Sequence, residues 1–341
     1  MLKRLLNVAT HELYEIPILV LMPHSRCNCR CVMCDIWKAN QEKREISVEV
    51  LEKHITAFRK LGVRRVALSG GEALMHSNLW KFCEVLHSIG AKISLLSTGL
   101  TLKHHAHEIV RHCDDVVVSL DGDREIHNVI RNIPGAFEKL EEGVVILKKL
   151  SPPLRITGRT VLQKKNFRNF PSIVQAARDM GLDQISFLGA DVSSEAFNRS
   201  SPWEAARVSE VALNLVETDS FETLIKQSFV DLKNDYDSKF IAEAPEKMMA
   251  IVQHYQAIHG KSDFPMKKCN APWVSAVVES TGDVLPCFFH KPYGNINLLA
   301  FEEIINSKSA ISFRKSLDVH QNPICQRCVC ALYVPSFSKV A

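Results

Sequence analysis

The chain has 341 residues, 46% hydrophobic and 23% charged, which is the make-up of a folded globular protein with ample core and none of the bias of a disordered one. Its 42 Lys and Arg against 38 Asp and Glu leave a net charge of only +4, and the basic residues are scattered, so nucleic-acid binding has no electrostatic support. The length exceeds one ordinary domain and predicts one large α/β domain with a smaller appendage.

The apolar run Ile18–Met22 is too short for a signal-peptide core or a membrane span, which points to a cytoplasmic protein with no membrane partner. Preceded by Pro17, where a missing donor is tolerated, it reads as the first strand. A helix follows over Val48–Leu61, with Ser47 as N-cap and Gly62 as terminator, and then a strand at Arg65–Ser69. The alternation continues with helix Leu79–Ile89, strand Lys92–Ser97, helix Leu102–His112, strand Asp115–Leu120 and helix Ala136–Leu150. It ends with strand Arg155–Leu162, helix Pro171–Met180 and strand Gln184–Leu188. Such a βαβ series predicts a parallel sheet, either open and doubly wound or an incomplete barrel; periodicity alone does not choose.

From about Trp203 to Gly260 the pattern turns helical and polar, including Glu222–Lys233 and Glu246–His259, and reads as a bridge. A segment rich in Cys, Pro and Gly runs from Lys267 to about Val334. No internal repeat or low-complexity tract is visible.

Eleven cysteines, clustered at residues 27–34 and 325–330, suit metal ligation better than disulfides in a reducing compartment. Cys27, Cys31 and Cys34 follow the first strand on one short loop. Thiolates are the standard ligands of iron–sulfur clusters, and three of them leave one iron of a four-iron cube open. An open iron can chelate the amino and carboxylate groups of S-adenosylmethionine, whose sulfonium then accepts an electron. A zinc knuckle that also uses Cys29 is the alternative, although alternate ligands so close together make a tetrahedral shell awkward.

The other strand ends are equally informative. Gly70, Gly71 and Glu72 follow the second strand; the glycines allow close backbone approach and Glu72 offers an acceptor for an ammonium group. Thr98 follows the third strand as a ribose or substrate contact. Ser119 and Asp121 stand at the end of the fourth, where they can bind ribose hydroxyls, and Arg131 beyond them can pair with a carboxylate. Each of these residues also has an ordinary reading as a turn former or a solvated charge. Because ligands bind at the carboxyl ends of strands in both candidate architectures, the coincidence argues for one shared site.

At these residues the chain resembles the radical S-adenosylmethionine superfamily, from Ile18 to about Asp191 and again at the C-terminal cysteines. The resemblance implies a partial (β/α)6 barrel resembling a TIM barrel, with Cys27, Cys31 and Cys34 holding a [4Fe-4S] cluster that binds S-adenosylmethionine. It implies that Gly70, Gly71 and Glu72 hold the cofactor's amino group. Met33 stands where the family has an aromatic residue against the adenine, and a thioether can pack there. Ser119, Asp121, His127 and Arg131 resemble the family's Ser-Leu-Asp-Gly strand end with its following His and Arg.

Downstream, Cys269, Cys287, Cys325 and Cys328 resemble the auxiliary-cluster extension called SPASM, more closely its shortened twitch form. A hairpin at Thr281-Gly282-Asp283 would bring Cys269 and Cys287 together, and the Cys325–Cys328 turn would complete a second [4Fe-4S] ligand set. A zinc ribbon would use the same four thiols. Cys328 is preferred to Cys330 by its spacing.

The expected organisation is a core over residues 1–200, a bridge over 201–260 and an iron–sulfur domain over 261–341. Cys83 reads as a helix core residue, Cys29 and Cys113 stay unassigned, and Trp37 either shields the cluster or simply packs. Histidines 104, 105 and 107 read as a solvated helix face.

The expected reaction is reductive cleavage of S-adenosylmethionine to a 5′-deoxyadenosyl radical that takes hydrogen from a small molecule, with oxidation or epimerisation as the outcome. A maturase of a ribosomally made peptide is the second reading; only 26 residues precede Cys27, which leaves little room there for a fused peptide-recognition domain. A non-catalytic iron–sulfur or zinc protein is the third. A flavodoxin or ferredoxin is the expected electron donor.

Overall fold

The computed structural model describes residues 2–337, so residues 338–341 of the expected C-terminal segment lie outside it. The six expected strands are present to within a residue at each end: β1 (Ile18–Leu21), β2 (Arg65–Leu68), β3 (Lys92–Ser97), β4 (Asp115–Ser119), β5 (Arg155–Leu162) and β6 (Gln184–Gly189). A helix not anticipated, α1 (Leu2–Thr10), precedes them. Between them run α2 (Val48–Lys60), α3 (Leu79–His87), α4 (Leu102–His112), α5 (Arg124–Arg131), α6 (Ala136–Leu150) and α7 (Phe170–Asp179). The side chain of Ser47 caps α2 by accepting from Val50 N, and Gly62 ends it at φ +68°.

Strand order settles the architecture. The parallel strands lie in the order β6-β5-β4-β3-β2-β1, with no reversal, so right-handed crossovers put all the connecting helices on one face. A doubly wound sheet would instead reverse direction and bury both faces. Burial alternates along β1, β2, β4 and β6, which confirms a covered outer face and a half-open inner one. Leu19, Val66, Ile93 and Val116 point outward into the helices and are wholly buried, each worth about 1.5–3 kcal/mol of transfer free energy. The result is the partial (β/α)6 barrel, with its strand ends gathered at one rim.

The bridge is helical: α8 (Ala205–Val211), α9 (Leu215–Asp231), α10 (Lys233–Asp237) and α11 (Pro245–Ile258). Asn214 and Glu217 form a capping box that starts α9 seven residues before the expected Glu222.

The C-terminal segment extends the same sheet. After α12 (Ala271–Val274), β7 (Ser275–Val278) pairs in parallel with the free edge of β1, then turns at Gly282, φ +88°, into antiparallel β8 (Asp283–Leu285) and β9 (Gly294–Asn295). The expected hairpin is therefore present. Helices α13 (Phe301–Ile305), α14 (Lys308–Ser316) and α15 (Pro323–Arg327) follow. Helix α1 ties the two ends together, because the buried Asn7 amide donates to Glu15 O at 2.6 Å and to Trp273 O at 2.8 Å.

Candidate functional site

The loop leaving β1 is pinned at its root and along its back. Met22 N bonds Val278 O at 2.8 Å, and the loop closes on itself through Ser25 N to Arg44 O at 3.0 Å. The Asn40 side chain clasps Cys27 on both sides, accepting from its N–H at 2.9 Å and donating to its carbonyl at 2.8 Å. Trp37 donates from Nε1 to Cys34 O at 2.8 Å, so it is a structural brace of the loop. The last turn of α5 backs the cysteines: Arg30 N and Val32 N donate to Arg131 O and Ile130 O at 3.2 and 3.0 Å.

Gly70 and Gly71 are required by this same loop. A Cβ on Gly71 would stand 2.1 Å from Arg26 O, and Gly70 has φ +111°. What approaches the glycines closely is the backbone of the cysteine loop, to which Glu72 N also bonds at Arg26 O, 2.9 Å. Glu72 is not part of the cavity wall. Its buried carboxylate accepts from Thr98 N and Thr98 Oγ1, both at 2.7 Å, from Ser97 Oγ at 3.1 Å and from Leu74 N at 3.2 Å. Burial pushes its pKa up against those donors, and it braces the end of β3 from behind the cavity wall.

A cavity of about 240 Å³ opens at the rim. Its wall includes Cys27, Cys31, Met33 and Cys34 from the loop, and Gly70, Gly71, Thr98 and Ser119 from successive strand ends. Arg131 stands on the same wall. The Thr98 hydroxyl is also within 2.9 Å of Asn28 Oδ1, which links β3 to the cysteine loop. Ser119 has no side-chain partner among the described residues.

Asp121 is not on the wall. It is wholly buried, forms an ion pair with Arg131 at 2.5 Å and accepts from Val161 N at 3.0 Å. Its carboxylate faces Arg131 and the Val161 amide. Arg131 in turn donates from Nη1 to Cys31 Sγ at 3.4 Å, and its buried Nε has no partner among the described residues. His127, pushed down to about 3 first by burial and then by Arg131, is a neutral acceptor for Asp121 N at 3.2 Å.

The thiols share one low-dielectric loop. Burial, then the neighbouring thiols, pushes Cys27 well up, and burial raises Cys34 to about 11. Cys31 goes the other way, lowered first by a hydrogen bond from Cys29 and further by Arg131. Three thiolates can therefore coexist there only if a bound metal shares their charge. Among the described residues no group of three or more His, Cys, Asp or Glu side chains is gathered to hold a single metal ion. A four-iron cluster takes one sulfur per iron, so its ligands stand apart around a cavity.

Two parts of the wall gave little signal in the sequence. The loop after β6 supplies Asp191, Phe197 and Arg199; Arg199 pairs with Asp191 at 2.9 Å and lies 3.9 Å over the Trp203 ring. Trp203 donates to Asp35 at 2.6 Å, beside Cys34. Asp191 follows β6 by two residues and was legible by the same strand-end rule as Thr98, whereas Arg199 sits in irregular backbone. The second part is Val329 and Cys330.

The C-terminal cysteines form a separate neighbourhood. Cys287, raised to about 12 by burial, feels the charges of Cys325 and Cys269, and Cys328 feels that of Cys287. His290 Nε2 lies 3.4 Å from Cys325 Sγ, and Cys330 N donates to Cys328 Sγ at 3.2 Å. Asn322 caps α15 by accepting from Ile324 N and Cys325 N, which presents Cys325 and Cys328 on one turn. Cys83 is wholly buried in the core, as expected, and His104 and His107 are exposed. Of the expected solvated histidines, His105 is half-buried against Trp80.

Sequence and fold comparisons agree with this layout. The family described as the radical SAM superfamily matches residues 21–191, and the iron–sulfur cluster-binding domain called SPASM matches 269–329. The chain is 25% identical over 301 residues to an AdoMet-dependent heme synthase of Methanosarcina barkeri, covering 86% of this chain and 82% of that protein. It is 23% identical over 291 residues to the Bacillus subtilis antilisterial bacteriocin subtilosin biosynthesis protein AlbA, covering 83% of this chain and 58% of that protein. Its fold matches Streptococcus suis SuiB bound to S-adenosylmethionine at a TM-score of 0.66 and 14% identity, over 96% of this chain and 76% of the other. Among the described residues no helix is long and apolar enough to cross a membrane. The chain belongs to the radical SAM superfamily, in the group with a SPASM domain, and its cofactors are a [4Fe-4S] cluster with S-adenosylmethionine and auxiliary iron–sulfur ligation.

Proposed function

We propose that the protein takes a hydrogen atom from a small-molecule substrate at the barrel rim, with Cys27, Cys31 and Cys34 holding the cluster and oxidation or epimerisation as the outcome. When bound, the cluster and S-adenosylmethionine together supply a 5′-deoxyadenosyl radical. The observation that carries this reading is the single cavity whose wall joins those three thiols to Thr98, Ser119 and Arg131.

Each residue has a task that its surroundings support. Arg131, anchored by Asp121 and standing on the cavity wall, binds the cofactor carboxylate. Ser119, with its hydroxyl uncommitted, binds a ribose hydroxyl, and Met33 packs on the adenine. Gly70 and Gly71 let the loop seat against β2, while Glu72 orders Thr98. Cys269, Cys287, Cys325 and Cys328 hold an auxiliary [4Fe-4S] cluster, supported by the amide on Cys328. Closure of the wall by Val329 and Cys330 favours a compact substrate and shelters it from water. Free thiols and oxygen-sensitive clusters suit the cytoplasm, where a flavodoxin or ferredoxin can donate the electron.

A peptide substrate is the second reading. The relative AlbA is named for bacteriocin biosynthesis, and SuiB has been solved with its precursor peptide SuiA. Anaerobic reconstitution followed by an assay for 5′-deoxyadenosine tests the reaction class. The wild type should form it with a chemical reductant, and Cys31→Ala should not; equal yields from both would overturn the proposal.

A further inference from the structure

Just after Cys287 the chain places a buried imidazole, His290, beside the C-terminal thiols. The turn that carries both residues leaves β8 and is closed by Tyr293 N on Val284 O at 2.7 Å, so the hairpin holds it. The His290 ring is only 6% exposed and packs edge-on against Phe313 of α14, with centroids 4.9 Å apart. Its Nε2 lies 3.4 Å from Cys325 Sγ, although 35 residues separate the two in the chain.

An imidazole is not needed there as a ligand. Cys269, Cys287, Cys325 and Cys328 supply one sulfur to each iron of a four-iron cube, and a saturated cube has no place for another donor atom. A metal-bound thiolate has no proton to give, so in the pair with Cys325 the imidazole N–H is the donor. Neighbouring sulfurs show the same pattern from the backbone. Cys330 N donates to Cys328 Sγ at 3.2 Å, and the amides of Phe289 and His290 donate to the Cys287 sulfur. His290 does for Cys325, with a side chain, what amides do for those two.

Reduction adds one negative charge to such a cluster, and part of that charge falls on the sulfurs. An N–H aimed at a sulfur therefore stabilises the reduced cluster more than the oxidised one and raises its reduction potential. Burial strengthens the effect, since water does not compete for the sulfur.

We infer that His290 sets the reduction potential of the auxiliary cluster, donating a hydrogen bond from Nε2 to Cys325 Sγ and acting through that sulfur rather than on the substrate. The inference rests on the proposed ligation of that cluster by Cys269, Cys287, Cys325 and Cys328.

The test uses the full-length chain with Cys27, Cys31 and Cys34 all replaced by Ala, so that only the auxiliary cluster carries iron. It is compared with the same chain bearing His290→Phe or His290→Gln. Phe keeps a ring against Phe313 but removes the donor, whereas Gln brings an amide N–H close to the position of Nε2. After anaerobic reconstitution, iron and acid-labile sulfide are counted, and the cluster is titrated at fixed pH by electron paramagnetic resonance. All three proteins should hold about four irons. At a given solution potential the ratio of reduced to oxidised cluster should be about tenfold lower in His290→Phe, a midpoint lower by about 59 mV for one electron. His290→Gln should recover most of that shift. An unchanged midpoint in His290→Phe, a midpoint as low in His290→Gln as in His290→Phe, or loss of the cluster from either variant would overturn the inference. Absence of a four-iron cluster from the parent chain with His290 intact would refute the proposed ligand set itself, and this inference with it.

Discussion

Replacing Asp121 by Asn asks whether Arg131 is a buried charge held in place for the cofactor. The pair is 2.5 Å apart with side-chain exposures of 0% and 7%, so solvent screens it little. Removing one partner of such a pair costs about 3–5 kcal/mol, because the other charge stays in a low-dielectric interior. Here Cys31 Sγ remains 3.4 Å from Nη1 as a residual acceptor, so the lower end of about 3 kcal/mol applies. At about 2–4 °C per kcal/mol for a large domain, the apparent Tm should fall by about 6–12 °C. Asn keeps an acceptor oxygen for Val161 N, at 3.0 Å in the native chain, so the change isolates the charge. Differential scanning calorimetry at constant iron content is the assay. The double variant Asp121→Asn with Arg131→Met, which removes both charges, should recover most of the loss. A single variant within about 1 °C of the wild type, or a double variant less stable than the single, would refute the reasoning.

Other consequences are as direct. Gly71→Ala drives a Cβ into Arg26 O, a backbone atom that cannot rotate away, so the cysteine loop must shift; iron retained at the level of the wild type would contradict this. Single replacement of Cys27, Cys31 or Cys34 by Ala should remove about four irons and leave the auxiliary set, whereas Cys83→Ala, in the core, should remove none. His254, pushed down to about 4 by burial, is neutral in the native state, while the unfolded chain takes up a proton below 6.5. Its contribution is therefore complete above pH 6.5 and is lost as the pH falls toward 4, about 3 kcal/mol in all. The Tm of His254→Gln should change less across that window than the Tm of the wild type; an identical slope would count against the assignment.

Much of the fold was legible because its signals are local. Ser47, Gly62, Gly90 and Gly181 punctuate helices and turns whatever the sheet does, and Ala136–Leu150 came out to the residue. The choice of barrel was not legible, since Val20, Ala67 and Val117 on the half-open inner face are as apolar as the buried outer face. Helix α5 escaped because Arg124–Arg131 is largely polar, although Asp123 caps it from its side chain and Asn132 ends it at φ +52°. The strand-end rule pointed to Thr98, Ser119 and the glycines, which line the cavity. It did not foretell the protein partners of Asp121 and Glu72, because spacing gives a residue's neighbourhood but not which buried donor will claim a carboxylate. Cys330 and Arg199 depend on loops that return to the rim from elsewhere in the chain, and no local pattern encodes that return.

The central claim is that the thiol trio leaves one iron for the cofactor, and electron–nuclear double resonance on the reduced protein with 15N- and 17O-labelled S-adenosylmethionine tests it most directly. Hyperfine coupling from both the amino nitrogen and the carboxylate oxygen to the cluster is predicted. Coupling from neither, with the cluster intact and the cofactor bound, would contradict it.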